Sequence, residues 1–320
     1  VNAPTALQGV RIVDFSHFVA GPLGTMLLAD LGADVIKIEN TQGGDDFRIF
    51  PPHLGEQSAP FIWTNRNKRS VALQLKHPEG RAIARELIRK ADIVVENFST
   101  GVMARFGLRY EDVVVDNPRL IYCTISAYGR SGPSAERPGF DPVIQAESGF
   151  MSLNGFPDQH GVRAGSPIID ISTAMVSSNA ILAALAARER TGKGQLIEVA
   201  LADVGVLMLG YYAMSYLASG INPTRFGNSQ SVVSPVGVFD ASDGPIYVAC
   251  SNDRTYHRLV IDTLGRQDLA DNPDFLTNED RRRNRDQLFA ILGEIFSKES
   301  RDNWMSKLLK AGVPAEPVRT

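Results

Sequence analysis

The stretch "SPIIDISTAM" (166–175) sets one carboxylate, Asp170, between an apolar pair, Ile168-Ile169, and a run of small residues. Two roles fit that placement. An Asp at such a seam accepts hydrogen bonds from the free N–H groups of a helix's first turn. The same carboxylate at the edge of a cleft is a nucleophile, which holds a transferred group covalently and splits one hard step into easier ones. Cations gather earlier in the chain. Lys37, Lys68, Arg69, Lys76 and Arg105 fall at strand ends or in loops, where open α/β sheets bind anions. Each alone reads as a surface charge. Taken with Asn97 and Phe98 in "ENF", they fit a long phosphate-bearing ligand with an adenine to stack. His17, in the first loop, is a candidate base or a structural hydrogen-bonding group.

Other chemistries lack their residues. The first turn, "DFSHFVAGPLG", holds Gly21 and Gly24 but no G-x-G-x-x-G, and no Walker A sequence occurs. A dinucleotide oxidoreductase, for which Glu39 would meet the ribose, stays as an alternative. Cys123 and Cys250 sit in apolar strand-like runs without a C-x-x-C pair, and the five histidines are scattered. That pattern predicts reduced, buried thiols in a cytoplasmic protein and no metal site. A net charge of −3 offers no basic field for nucleic acid. No apolar run approaches the roughly 20 residues that span a bilayer, so no membrane association is expected.

The elements that must position these residues alternate. "VRIVDF" (10–15), "VIKIE" (35–39), "SVALQL" (70–75), "DIVVENF" (92–98), "LIYCTIS" (120–126) and "QLIEVAL" (195–201) read as strands. Helical patterns at 22–33 and 78–91 separate them, and a long helix runs from Asp170 to about Arg188. The alternation predicts an α/β fold with a largely parallel sheet. Residues 202–219 read as a further buried helix. A large domain is placed over 1–220 and a linker over 221–235. A small α+β domain follows over 236–320, with a hairpin at 236–250 and helices at 286–297 and 299–311. Arg281-Arg282-Arg283 reads as a solvated helix start.

Several phrases together resemble one family: "GVRIVDFSHFVAGPLGTMLLADLGADVIKIE", "NRNKRSVALQLK", "ADIVVENF", "YCTISAYGRSGPSAERPGFDPVIQAESGFMSLNG" and "TGKGQLIEVALADV". They are similar to the class III coenzyme A transferases, the CaiB/BaiF group. The resemblance runs from about Leu7 to the last residues. It implies a large Rossmann-like CoA-binding domain, a small α+β domain and an interlocked homodimer. It implies coenzyme A as a substrate, with no tightly bound cofactor and with small carboxylic acids as the other partners. Asp170 matches the family's nucleophile, which becomes an acyl anhydride and then a CoA thioester. Phe18, Val19 and Ala20, with His17, match the loop that touches CoA. Asn40, Leu73, Lys76, Asn97, Phe98 and Arg105 match positions around the nucleotide. Arg137, Phe140 and Asp141 match positions beside the pantetheine and the reacting centre, and Gln145 is a further candidate there.

The resemblance also bears on substrate. Val19 replaces a glutamine of formyl-CoA transferase, which argues against formyl-CoA and oxalate as the pair. The related racemases carry a histidine where this chain has Phe140, so a transferase is favoured over α-proton exchange. A non-catalytic CoA-binding subunit is a further alternative. Family chains continue past the position of Thr320 and return to the large domain, a segment the sequence does not include.

Overall fold

The computed structural model describes residues 5–319. The chain divides into two compact units. One takes in the residues up to Met151 together with Arg163–Pro223, and the other takes in Ser152–Val162 and the residues from Thr224 on.

Six strands form the sheet of the first unit: β1 (Arg11–Asp14), β2 (Asp34–Glu39), β3 (Lys68–Ala72), β4 (Ile93–Glu96), β5 (Ile121–Ser126) and β6 (Leu196–Ala200). Every pairing is parallel, and the order across the sheet is β3-β2-β1-β4-β5-β6. This is the doubly wound arrangement, with a topological switch point between β1 and β4. The central strands are apolar because helices cover both faces, and Ile12, Val13, Ile93 and Val94 have no exposed surface.

Helix α1 (Ala20–Asp30) follows β1 and is buried over most of its length. Helix α2 (Pro78–Arg89) shows the amphipathic pattern, burying Gly80, Ala84 and Ile88 behind a charged face. Its N-cap is His77, whose imidazole accepts from the Glu79 N–H. Helix α3 (Asp141–Glu147) is short, and α4 (Ile168–Thr191) is the longest helix, packing on α1. The two glycines of the first turn serve packing. A Cβ on Gly21 would lie 2.2 Å from the Ser16 Cβ, and one on Gly24 would lie 2.9 Å from the Ser177 hydroxyl on α4. Helix α4 has the length and apolar composition of a membrane-crossing helix, with mean hydropathy 1.6 over its most apolar window. The sequence hides this, since Ser172, Thr173, Ser177 and Ser178 interrupt every apolar run. Its buried residues face α1, β5 and β6, as those of a core helix do.

Two expectations about helices change. The long helix starts at Ile168, so Asp170 lies inside its first turn and is not its N-cap; Pro167 holds that position. The segment 202–219 forms two helices, α5 (Leu201–Leu207) and α6 (Tyr211–Ser219), separated where Gly210 takes φ 59°. Helix α6 buries none of its residues. Periodicity identified an apolar helix but could not say what would cover it.

In the second unit, β7 (Val236–Ala241) and β8 (Gly244–Ala249) form the expected hairpin, and β9 (Ala315–Pro317) pairs antiparallel with β8. Helices α7 (Arg285–Phe296) and α8 (Arg301–Ala311) enclose a core that includes Phe239, Ile246, Leu288, Phe296 and Trp304. No helix or strand forms over 220–235. Arg281 departs from the solvated reading, because it has no exposed surface at all. Its guanidinium donates to the carbonyls of Ser234 (2.8 Å), Phe275 (2.9 Å) and Leu276 (3.1 Å) and pairs with Asp253.

Candidate active site

The loops leaving β1 and β4 flank the switch point, where an open parallel sheet offers a crevice. A cleft of about 310 Å³ lies there. Its lining brings together seven of the residues singled out in the sequence: Phe18, Val19, Ala20, Asn97, Phe98, Phe140 and Asp170. His17 joins them, its ring centroid 5.2 Å from that of Phe98. The sequence did not single out Asp46, Ser99, Ile125 to Ala127 or Leu201, which complete the lining together with Gly139 of the 137–141 segment. Position at or just past a strand end could have found Ser99, Ile125 to Ala127 and Leu201, whereas Asp46 lies in a turn well beyond β2 and carries no such signal.

Asp170 owes its place to Asp141. The Asp141 carboxylate is buried at the start of α3, and its Oδ2 accepts from the N–H groups of Ile169 (2.7 Å) and Asp170 (3.1 Å). Asp141 therefore supplies the capping oxygen for α4 from a separate helix. Gln145 holds it in turn, donating to Asp141 Oδ1 while its own Oε1 accepts from the Ala164 N–H at 2.8 Å. With the first turn of α4 satisfied in this way, the Asp170 side chain is released from capping. Among the described residues its carboxylate has no hydrogen-bond partner. Burial, and then the nearby Asp141 charge, push its pKa up to about 7.

Asn97 acts on the protein as well as lining the cleft. Its carboxamide accepts from the His17 N–H (2.8 Å) and donates to the His17 carbonyl (2.9 Å). Phe98 is held by Glu96, which accepts from its N–H at 2.9 Å, and by Arg130, which donates to its carbonyl at 2.7 Å. Burial lowers the His17 pKa and so favours the neutral imidazole.

The remaining candidates lie outside the cleft lining. Asn40 organises the turn after β2, accepting from the Gln42 N–H at 2.7 Å. Leu73 is buried, while Lys76 and Arg105 are exposed and form no ion pair among the described residues. Arg137 makes two 2.9 Å bonds to Glu147 and lies over the Tyr128 ring. Three of the five cations read as phosphate contacts are engaged otherwise. Lys37 and Lys68 are buried against Asp45 and Asp14, and Arg69 is bonded to Asp34.

Comparison with known proteins gives the family. A model described as CoA-transferase family III matches residues 7–320. Acetyl-CoA:oxalate CoA-transferase of Acetobacter aceti is 42% identical over 312 residues, covering 97% of this chain and 80% of that protein. Succinate–glutarate CoA-transferase of Agrobacterium fabrum is 39% identical over 326 residues, covering 100% and 81%. The crystal structure of a CAIB/BAIF family protein from Brucella suis superposes with a TM-score of 0.89 at 41% identity, covering 99% of this chain and 85% of that one. The chain belongs to CoA-transferase family III.

Proposed function

We propose that the protein moves coenzyme A from an acyl-CoA to a carboxylic acid, with Asp170 as the covalent nucleophile. The observation that carries this reading is an unpartnered carboxylate lining the switch-point cleft. A carboxylate oxygen of Asp170 attacks the thioester carbonyl, the carbon–sulfur bond breaks, and CoA leaves as thiolate from a mixed anhydride. The thiolate attacks the Asp170 carbonyl of that anhydride, releasing the donor acid and leaving an aspartyl-CoA thioester. The acceptor carboxylate displaces CoA to form a second anhydride. CoA then attacks the acceptor's acyl carbon and returns Asp170 as a carboxylate. No step needs a net proton transfer, so a neutral His17 suffices.

The Ala20 N–H, first in α1 and without an intrahelical acceptor, belongs to a residue that lines the cleft and is read as a donor to the developing oxyanion. Apolar walls at Phe98, Ile125, Phe140 and Leu201 limit water, which would hydrolyse the anhydride. The exposed Lys76 and Arg105 are read as phosphate contacts, with Asn40 and Leu73 toward the nucleotide and Arg137 toward the pantetheine. Phe140 carries no proton, so two-base exchange at an α-carbon lacks a partner at that position.

The names of the relatives point the acceptor toward small dicarboxylic acids. They also return oxalate to the set worth testing, against the reading drawn from Val19. The test is a panel of acetyl-CoA and succinyl-CoA against oxalate, glutarate, mesaconate and malate, followed by mass spectrometry of the CoA esters. Transfer is expected with at least one pair, together with a hydroxylamine-trapped adduct on Asp170. Turnover retained by Asp170→Ala would overturn the assignment.

A further inference from the structure

The loop between β1 and α1 is a short irregular segment, yet from Ser16 to Phe18 each backbone N–H and carbonyl meets a side chain. The Ser16 N–H donates to Asp14 (2.9 Å), and Lys37 Nζ donates to the Ser16 carbonyl (2.6 Å). Asn97 satisfies both polar groups of His17. The Phe18 N–H donates to Asp45 Oδ1 (3.2 Å), and Thr64 Oγ1 stands 3.5 Å from the Phe18 carbonyl. Phe18 itself takes φ 63°, a left-handed conformation that strains a bulky residue. Strain of this kind persists only where the surroundings impose it. Here it throws the Phe18 ring against Phe47 and Phe50 and turns Val19 and Ala20 into the cleft.

Lys37 and Asp45 form an ion pair, 2.9 Å apart, with 1% and 0% of their side chains exposed. Burying two charges is expensive, and an apolar pair of the same volume serves folding as well or better. This pair sits beneath a strained, cleft-lining loop, and each member holds one of the loop's backbone groups. We propose that Lys37 and Asp45 are positioning residues for CoA transfer: Asp45 fixes the left-handed backbone of Phe18, and Lys37 fixes the carbonyl of Ser16. Together they aim the N-terminus of α1 at the reacting carbonyl. The proposal rests on the transferase reading of the cleft. Asp45 also accepts from the Phe47 N–H at 3.0 Å, so a purely structural role in the 46–49 turn is the competing account.

The test compares Asp45→Ala, Asp45→Asn and Lys37→Met with the wild type, using the pair of highest turnover in the panel above. Each variant is checked for folding by circular dichroism and thermal unfolding. Donors placed for the transition state affect kcat and leave KM alone. Asp45→Ala is therefore expected to lose about 10²-fold in kcat, with KM for the acyl-CoA changed by less than about threefold. Asp45→Asn keeps an acceptor for the Phe18 N–H and is expected to recover at least about tenfold of that loss. Lys37→Met, which frees the Ser16 carbonyl, is likewise expected to lower kcat at least about tenfold with KM little changed. It tests the proposal even if Asp45→Ala fails to fold, and a folded Lys37→Met with wild-type kcat would overturn it.

A folded Asp45→Ala with wild-type kcat, or an effect confined to KM, would overturn the positioning role. So would an Asn variant as poor as Ala. Asp170→Ala separates the two claims. If it is inactive while Asp45→Ala is normal, only the positioning claim falls. If it still turns over, or if no pair is transferred by the wild type, the site reading falls and takes this inference with it.

Discussion

Asp170 lies in the first turn of α4, and the N–H groups there are capped by Asp141, 29 residues earlier. The local sequence around Asp170 could not separate cap from nucleophile, because the partner that decides between them arrives through the tertiary fold. The resemblance to a family of transferases is what favours the nucleophile reading, which spacing alone leaves open. A consequence in pH follows. Nucleophilic attack needs the ionised carboxylate, whose pKa burial pushes up to about 7. The expected kcat/KM rises with pH to a plateau above about 8, is half-maximal near 7, and falls about tenfold per pH unit below 6. A flat profile from pH 5 to 8 would contradict this.

Stability runs the opposite way. The folded pKa lies above the unfolded one, so the folded state holds the proton more tightly. This group's contribution therefore falls as pH rises from about 4 to 7, and the full cost of the buried charge, about 2–4 kcal/mol, is present above 7. Asp170→Asn is expected to raise the melting temperature at pH 8 and leave it unchanged near pH 4.

At the scale of elements, alternating strands and helices were legible because each buried strand is a short apolar run and each covering helix carries its own period. What could not be read was which charged or apolar side chains end up inside. Arg281 shows this, since three consecutive arginines look alike in sequence. Arg281 alone is buried, bonded to three carbonyls and to Asp253, and lies over the Tyr256 ring at 4.2 Å. Arg281→Ala should leave those acceptors unpaired in the core and cost about 3–5 kcal/mol in denaturant unfolding. Arg282→Ala and Arg283→Ala, at exposed positions, should stay within about 0.5 kcal/mol. Equal effects from all three would refute the staple. The burial of Lys37 and Lys68 is illegible in sequence for the same reason, since their carboxylate partners Asp45 and Asp14 lie elsewhere in the chain.

For the whole molecule, the parallel sheet predicted where a ligand would sit once its order was known, and pattern alone did not supply that order. The apolar helix α6 belongs to this scale too. Tyr211, Met214 and Leu217 are 50%, 65% and 75% exposed in a single chain, one turn apart along the same helix, and clustered exposed apolar side chains of this kind mark interaction surfaces. In line with the resemblance, we propose a homodimer that covers α6. Light scattering after size exclusion should give twice the chain mass, and Met214→Glu with Leu217→Glu should shift it toward monomer. A wild-type monomer at micromolar concentration would sink the idea. The loop at residues 16–18 has a consequence for motion. Loops ordinarily exchange their amide hydrogens with solvent quickly, because opening them breaks little. Here the amides of Ser16, His17 and Phe18 are tied to Asp14, Asn97 and Asp45, so releasing any one means freeing a buried or half-buried side chain. Deuterium should enter these three positions on the timescale of the neighbouring β1, which makes this stretch behave, kinetically, as part of the sheet.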